Sequence, residues 1–285
     1  MHLITQVPWV SNTPFPDYYL AMGTQPQANQ AQVQRPVQPL VQPVTPSNSY
    51  ADPSQGDTWT DPVTGMEFVF VPKGCYQMGS NSGASDEKPV HEVCLDGFWM
   101  GKYEVTQGQW SKLIGSNPSN FKSGDDFPVE KVSWNDAKDY ILKLNQRSGN
   151  TFSLPTEAQW EYAARSGGKN EMYSGGNNVD SVAWDWSNSG KKTHGVGTKA
   201  SNGLGIYDMS GNVLEWCEDV YDKNAYSRHE HNNPLITSGS KYRVRRGGSW
   251  NMYPRGGRAA YRHGLSVDIR RISLMGFRLC LSQVR

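Results

Sequence analysis

The sequence predicts an α+β domain with two main helices, small antiparallel sheets and much irregular chain. Three observations carry this: helix starts with capping-box chemistry, short stretches in which apolar and polar residues alternate, and a long C-terminal half rich in Gly, Asn and Ser. The first regular element is expected near Trp59, where MEFVFVPKGCYQMGS has the period of a half-buried strand and turns at Lys73-Gly74. Residues 90–100, VHEVCLDGFWM, read as a second strand.

A short helix is expected after Thr106, in TQGQWSKLIG. Ser133 opens a longer one with Asp136 three residues on; Trp134, Ala137, Tyr140, Ile141 and Leu144 make its apolar stripe and Gly149 ends it. Thr156 opens another with Gln159 at the reciprocal capping position and Gly167 as the expected stop. Beyond residue 170 only NVLEWC at 212–217, RVRRGGSW at 243–250 and GFRLCL at 276–281 look like strands. Long irregular segments in a compact domain usually form a functional surface. Before the domain, residues 24–46 are a Pro/Gln-rich run that cannot bury enough surface to order itself, so 1–55 is read as an arm or linker and 56–285 as the domain.

Composition narrows the function. Lys+Arg 28 against Asp+Glu 27 leaves a net charge of +1, so no global field draws the molecule to nucleic acid or anionic lipid. Mean hydropathy is −0.67, yet 10 Trp and 14 Tyr supply large buried areas, which predicts an aromatic core. No apolar run is long enough to span a membrane and no leader follows Met1, so an export signal would have to be trimmed or lie upstream. The four cysteines lack CxxC spacing, which argues against zinc. Cys75 could neighbour Cys94, and Cys217 could neighbour Cys280, as disulfides or as buried thiols.

Seven ordered blocks then carry a resemblance: MGS at 78–80, KYEVTQGQW at 102–110, FPVEKVSWNDA at 127–137, LPTEAQWEYAAR at 154–165, GLGIYDMSGNVLEWC at 203–217, RVRRGGSW at 243–250 and GFRLC at 276–280. Together they resemble the formylglycine-generating-enzyme, or sulfatase-modifying-factor, family. The resemblance implies a C-type-lectin-like fold. It also implies an oxidase chemistry that needs a copper-binding cysteine pair after the GGS block, and there this chain has Met252 and Gly257. Neither supplies a thiolate, so the expectation is no enzyme activity; the alternative is an oxidase relative or accessory with altered chemistry. The ergothioneine-type sulfoxide synthases share the domain but use a His-rich iron domain, and the six histidines here offer no such cluster.

The end of the chain resembles the variable region of the variable proteins of diversity-generating retroelements, of the treponemal kind, over residues 243–280. In that family template adenines are copied with errors, so AAC codons become NNC codons, which never encode Lys, Glu, Gln, Trp or Met. Between Asn251 and Ser273 there is no Lys, Glu, Gln or Trp, although these types make up 50 of the 285 residues. Composition would place roughly four of them there. Met252 is the misfit. Arg258, Ala260, Arg262, Arg270, Gly276, Phe277 and Arg278 fall where the family keeps its scaffold, the arginines hydrogen-bonding carbonyls and carboxylates through planar forks.

Between them, Met252, Tyr253, Arg255, Gly256, Gly257, Tyr261, His263, Gly264, Leu265, Ser266, Ile269, Arg271, Ile272 and Ser273 are the candidate diversified, ligand-binding positions. Tyr253, Tyr261, His263 and Arg271 are expected to supply most of the binding energy, because Tyr and Arg dominate interface hot spots. Trp216 and Trp250 are expected to wall the site. The competing reading makes Leu265, Ile269 and Ile272 ordinary core residues.

The block DMSGNVLEW also resembles a family calcium site, built from the carboxylates of Asp208 and Glu215 with the carbonyls of Gly211 and Val213. The alternative is a metal-free turn in which the two acids bond backbone amides; no other cofactor is implied. Residues 243–285 are arginine-rich with Asp268 as the single acid, but most of those arginines occupy scaffold positions and stacking aromatics are few, so nucleic acid is not an expected partner. The expected function is recognition of a protein or glycan on another cell by a receptor-like or adhesin-like protein. The expected setting is the cell surface or the extracellular space, with lipid anchoring through a segment absent here as one route; a cytoplasmic location is the alternative.

Overall fold

A computed structural model describes residues 52–269 and 272–282. The Pro/Gln-rich run, Arg270 and Arg271 lie outside the described residues. The first strands are β1 (Thr58–Thr60), β2 (Glu67–Val71), β3 (Gly74–Met78), β4 (His91–Leu95) and β5 (Phe98–Gly101). The stretch expected as one second strand is therefore two, because Asp96-Gly97 breaks it. β3 and β4 form a two-stranded ribbon with Cys75 directly opposite Cys94, and the two are joined in a disulfide.

Each helix begins where its side chains can satisfy the free N–H groups of the first turn. Helix α1 (Gln107–Ile114) is capped by Thr106, which accepts from the Gln109 amide while Gln109 accepts from the Thr106 amide. Ser133 and Asp136 do the same for α2 (Trp134–Ser148), and Gly149 ends it in the left-handed conformation at φ 72°. Thr156 and Gln159 cap α3 (Glu157–Ala164). This last helix ends before the expected Gly167: Arg165 is its C-cap and Ser166 already has φ 52°. The α2 stripe is buried at Ala137, Tyr140, Ile141 and Leu144, whereas Trp134 is half-buried and gives its indole N–H to the Cys217 carbonyl.

The later strands are β6 (Phe152–Ser153), β7 (Leu214–Val220), β8 (Tyr242–Arg246), β9 (His263–Ser266), β10 (Met275–Gly276) and β11 (Cys280–Leu281). A five-stranded sheet runs β1-β2-β5-β11-β6, so the end of the domain is clamped between β5 and β6. A four-stranded sheet runs β10-β7-β8-β9, which leaves β9, inside the candidate variable region, at an edge. The aromatic core appears as expected: Trp110 stacks on Tyr140 with ring centroids 5.3 Å apart, and Trp160 and Trp216 are completely buried. Cys217 and Cys280 are both free and buried, which corrects the expectation that they might pair.

Candidate functional site

The arginine forks anticipated from sequence are the frame of the site. Arg262 meets both carboxylate oxygens of Glu157 at 2.6 Å and donates to the carbonyls of Asp86 and Asp222. Arg246 bridges Glu157 and Glu161 and also donates to the carbonyls of Ala259 and Ala260. Arg258 grips Glu87 with two bonds, and Arg278 grips Glu215 with two while reaching the carbonyls of Gly101 and Tyr207. Glu157 stays ionised: burial works against its charge, but the guanidiniums of Arg262 and Arg246 hold its carboxyl below the usual range.

The frame acts largely on the main chain of the segment. The Ala259 amide donates to the Met172 carbonyl, and Ser210 Oγ donates to the Gly257 carbonyl. Trp250 gives its indole N–H to the Ser273 carbonyl and so pins the segment; Trp216 lies wholly in the core, with its N–H on the Val132 carbonyl, which corrects its expected place in the site wall. At Gly248, φ is 73° and an added Cβ would come within 2.8 Å of Gly256 backbone, so only glycine permits this approach of the two loops.

The candidate positions separate on this frame. Tyr253, Arg255 and His263 are exposed; Tyr253 is 64% exposed. Tyr261, Gly264, Ser266, Ile269 and Ser273 are half-buried. Met252, Leu265 and Ile272 are half-buried and rest against the core around α2. Gly256 and Gly257 are buried, which corrects their placement on the contact surface: they contribute backbone beneath it. An added Cβ at Gly256 would collide with the Met252 side chain at 2.6 Å, whereas at Gly257 its nearest neighbour would be 3.7 Å away. Arg271 lies outside the described residues.

Two participants are not evident from sequence patterning. Trp186, 43% exposed, packs 6.1 Å from the ring of Tyr253, and its amide donates to the Met252 carbonyl. A tryptophan in a stretch with no period was the available signal. Arg245, on β8 opposite His263, reaches the His263 Nδ1 at 3.3 Å and the Met275 sulfur at 3.9 Å. Its Nε is buried without a hydrogen-bond partner, and no carboxylate pairs with it among the described residues. Burial pulls its guanidinium down from the usual arginine range, with only the Tyr261 phenol acting the other way. A half-buried cation with unused donors suits an anionic group of a ligand.

The calcium expectation does not fit the side chains. Glu215 has both oxygens committed to Arg278 at 2.6 Å, and one of them also accepts from the Trp160 indole at 2.7 Å. Asp208 accepts from the Gly197 amide at 2.7 Å, and burial raises its carboxyl to about 6. A cation at Glu215 would have to displace a fully buried guanidinium, so Asp208, Gly211, Val213 and Glu215 form a turn and a buried ion pair rather than an oxygen cage. Of the amide bonds that the alternative assigned to the two acids, the one at Asp208 is present, whereas Glu215 bonds side chains instead.

Beside the segment, Gly79, Ser80, Asn170, Glu171, Arg258 and Ala260 help line a polar cleft of about 490 Å³. Arg165 at its wall is already bonded to Glu161 and to the carbonyls of Gly79 and Glu171. The free thiols are unsuited to nucleophilic work, because burial pushes Cys280 up to about 12 and Cys217 well above the usual thiol range. No helix among the described residues is long and apolar enough to cross a membrane.

Comparison with known proteins agrees with this architecture. Residues 54–283 match the family model described as the sulfatase-modifying factor enzyme 1-like domain. The chain is similar to a solved structure, Treponema denticola variable protein 1, with a TM-score of 0.72 and 30% identity over 80% of this chain and 99% of that one. It is 36% identical to the chaperone protein LppX of Paenibacillus barcinonensis over 65% of this chain and 78% of that protein. It is 31% identical to the serine/threonine-protein kinase Pkn1 of Chlamydia trachomatis serovar L2 over 76% of this chain, and there the match spans only 41% of the kinase.

Proposed function

The chain belongs to the sulfatase-modifying factor enzyme 1-like family, with its C-type-lectin-like fold, and from that premise we propose that it binds a ligand rather than catalysing a reaction. The observation that carries the reading is the division of labour in 243–280. Buried arginine forks and the Trp250 indole hold the main chain, while Tyr253, Arg255 and His263 face solvent. A surface whose backbone is ordered in advance can change side chains without a new ordering cost. Likeness to a variable protein supports diversification of these positions by a retroelement. The partner is a protein or glycan on another cell, and Arg245, which meets no carboxylate among the described residues, favours one that carries an anionic group. Nucleic acid is disfavoured because Arg246, Arg258, Arg262 and Arg278 are spent on internal carboxylates. The setting is the cell surface or the extracellular space.

The oxidase alternative is weakened by Met252 and Gly257 at the thiol positions and by the burial of both free cysteines. Incubating the purified protein with copper and a sulfatase-derived cysteine peptide should leave the cysteine unconverted by mass spectrometry; formation of formylglycine would overturn the non-catalytic reading. Diversification is tested by sequencing around the gene. A reverse transcriptase with a near-copy of codons 243–280 differing at adenines is expected, and absence of such a copy removes that part of the proposal.

A further inference from the structure

At the ribbon of β3 and β4, remote in sequence from the recognition segment, donor atoms of Glu92, Cys94 and His231 lie within 4.8 Å of one another. His231 Nε2 is 3.1 Å from the Cys94 sulfur and 3.9 Å from a Glu92 oxygen. Cys75 contributes a second sulfur, since it is bonded to Cys94. The four come together for reasons of backbone geometry. Cys75 and Cys94 are paired positions of an antiparallel ribbon, and Glu92, two residues before Cys94, points to the same face. The His231 segment docks alongside: the Cys94 amide donates to the His231 carbonyl and the Asn233 amide donates to the Cys94 carbonyl. A further bond joins Asn233 Nδ2 to Asp96 at 3.0 Å. Five paired positions of the ribbon and these docking bonds fix the backbone that carries the donors, in addition to the disulfide.

We propose that this cluster is a redox-gated zinc site: the disulfide form holds no metal, and the dithiol form binds one divalent zinc through Cys75, Cys94, His231 and Glu92. Two thiolates, an imidazole and a carboxylate are a zinc donor set. The chemistry balances with an external dithiol as reductant. Two electrons and two protons pass to the Cys75–Cys94 bond, giving two thiols, while the reductant becomes its own disulfide. Zinc then displaces the two thiol protons to solvent. Spacing along the chain hides the site, because its sulfurs are 19 residues apart and the imidazole comes from a distant loop. The exchange replaces a covalent link within the ribbon by a metal link that also takes in His231 of the docked segment.

The test is titration of the full chain with zinc chloride against a chromophoric competitor, before and after reduction by a phosphine that is then removed. One zinc per chain is expected in the reduced protein and none in the oxidised one. Cobalt in place of zinc should give the absorption of a tetrahedral thiolate site. Cys94→Ser and His231→Ala should each weaken zinc binding of the reduced chain at least about tenfold. His231 is half-exposed, so its variant keeps the test valid if Cys94→Ser misfolds. Equal zinc uptake before and after reduction, or unchanged affinity in His231→Ala, would overturn the proposal.

Discussion

The residue that best shows how the molecule combines stability with a changeable surface is Arg262. It lies between two candidate recognition positions, Tyr261 and His263, yet it is buried and satisfies Glu157 with two bonds of 2.6 Å. Its neighbours therefore alternate between frame and surface. Replacing it with methionine, similar in length but neutral, leaves the Glu157 charge with Arg246 as its remaining cationic partner in a low-dielectric site. Breaking a buried ion pair from one side costs about 3–5 kcal/mol. Arg262→Met is thus expected to lower the denaturant midpoint sharply, and adding Glu157→Gln to it should cost less than the sum of the two single changes. A purely additive pair would show that the network is not coupled.

Among the elements, the helices were the most legible. Their start signals act within four residues, so Thr106, Ser133 and Thr156 could be read from the chain alone and all three cap as expected. Ser133→Ala removes an oxygen that receives the Asp136 amide and is expected to cost about 1 kcal/mol, measured by equilibrium unfolding. Loss below a few tenths of that would mean that tertiary packing, not the cap, fixes the start of α2. The strands were harder to read. β10, β11 and β6 have only two residues each, too few for a period to register, and they exist because neighbouring chain supplies their partners. The end of α3 was misplaced by about two residues because Ser166 enters the left-handed region ahead of Gly167 and Gly168, which share it at φ 81° and 87°.

For the candidate site, sequence singled out Arg258, Arg262 and Arg278 as frame residues but not Arg246, nor which glycines lie beneath the surface. Gly256 and Gly257 are hidden by Met252 and by the loop at Gly247-Gly248, contacts that only the fold creates. Arg245 was equally illegible, since an arginine between Val244 and Arg246 gives no sign that it lacks a carboxylate. Glu215 misled in the opposite direction: a carboxylate in an oxygen-rich block suggested calcium, but Arg278, 63 positions away in sequence, claims it.

At the scale of the whole molecule, the β10-β7-β8-β9 sheet and helices α1, α2 and α3 belong to the packed support, while Tyr253, Arg255 and His263 stand exposed at its rim. Surface substitutions away from packed features usually change stability by no more than about 0.5 kcal/mol each, whereas aromatic and arginine contacts dominate interfaces. The most direct test is therefore a chain carrying Tyr253→Ser, Arg255→Ser and His263→Ser together, compared with wild type by thermal unfolding and by binding to ligands selected against wild type from a surface-displayed library. The expected result is an unfolding midpoint within about 5 °C of wild type, the shift that roughly 1–2 kcal/mol would produce in a domain of this size, together with loss of binding to most selected ligands. Retained binding, or collapse of the fold in this triple variant, would contradict it.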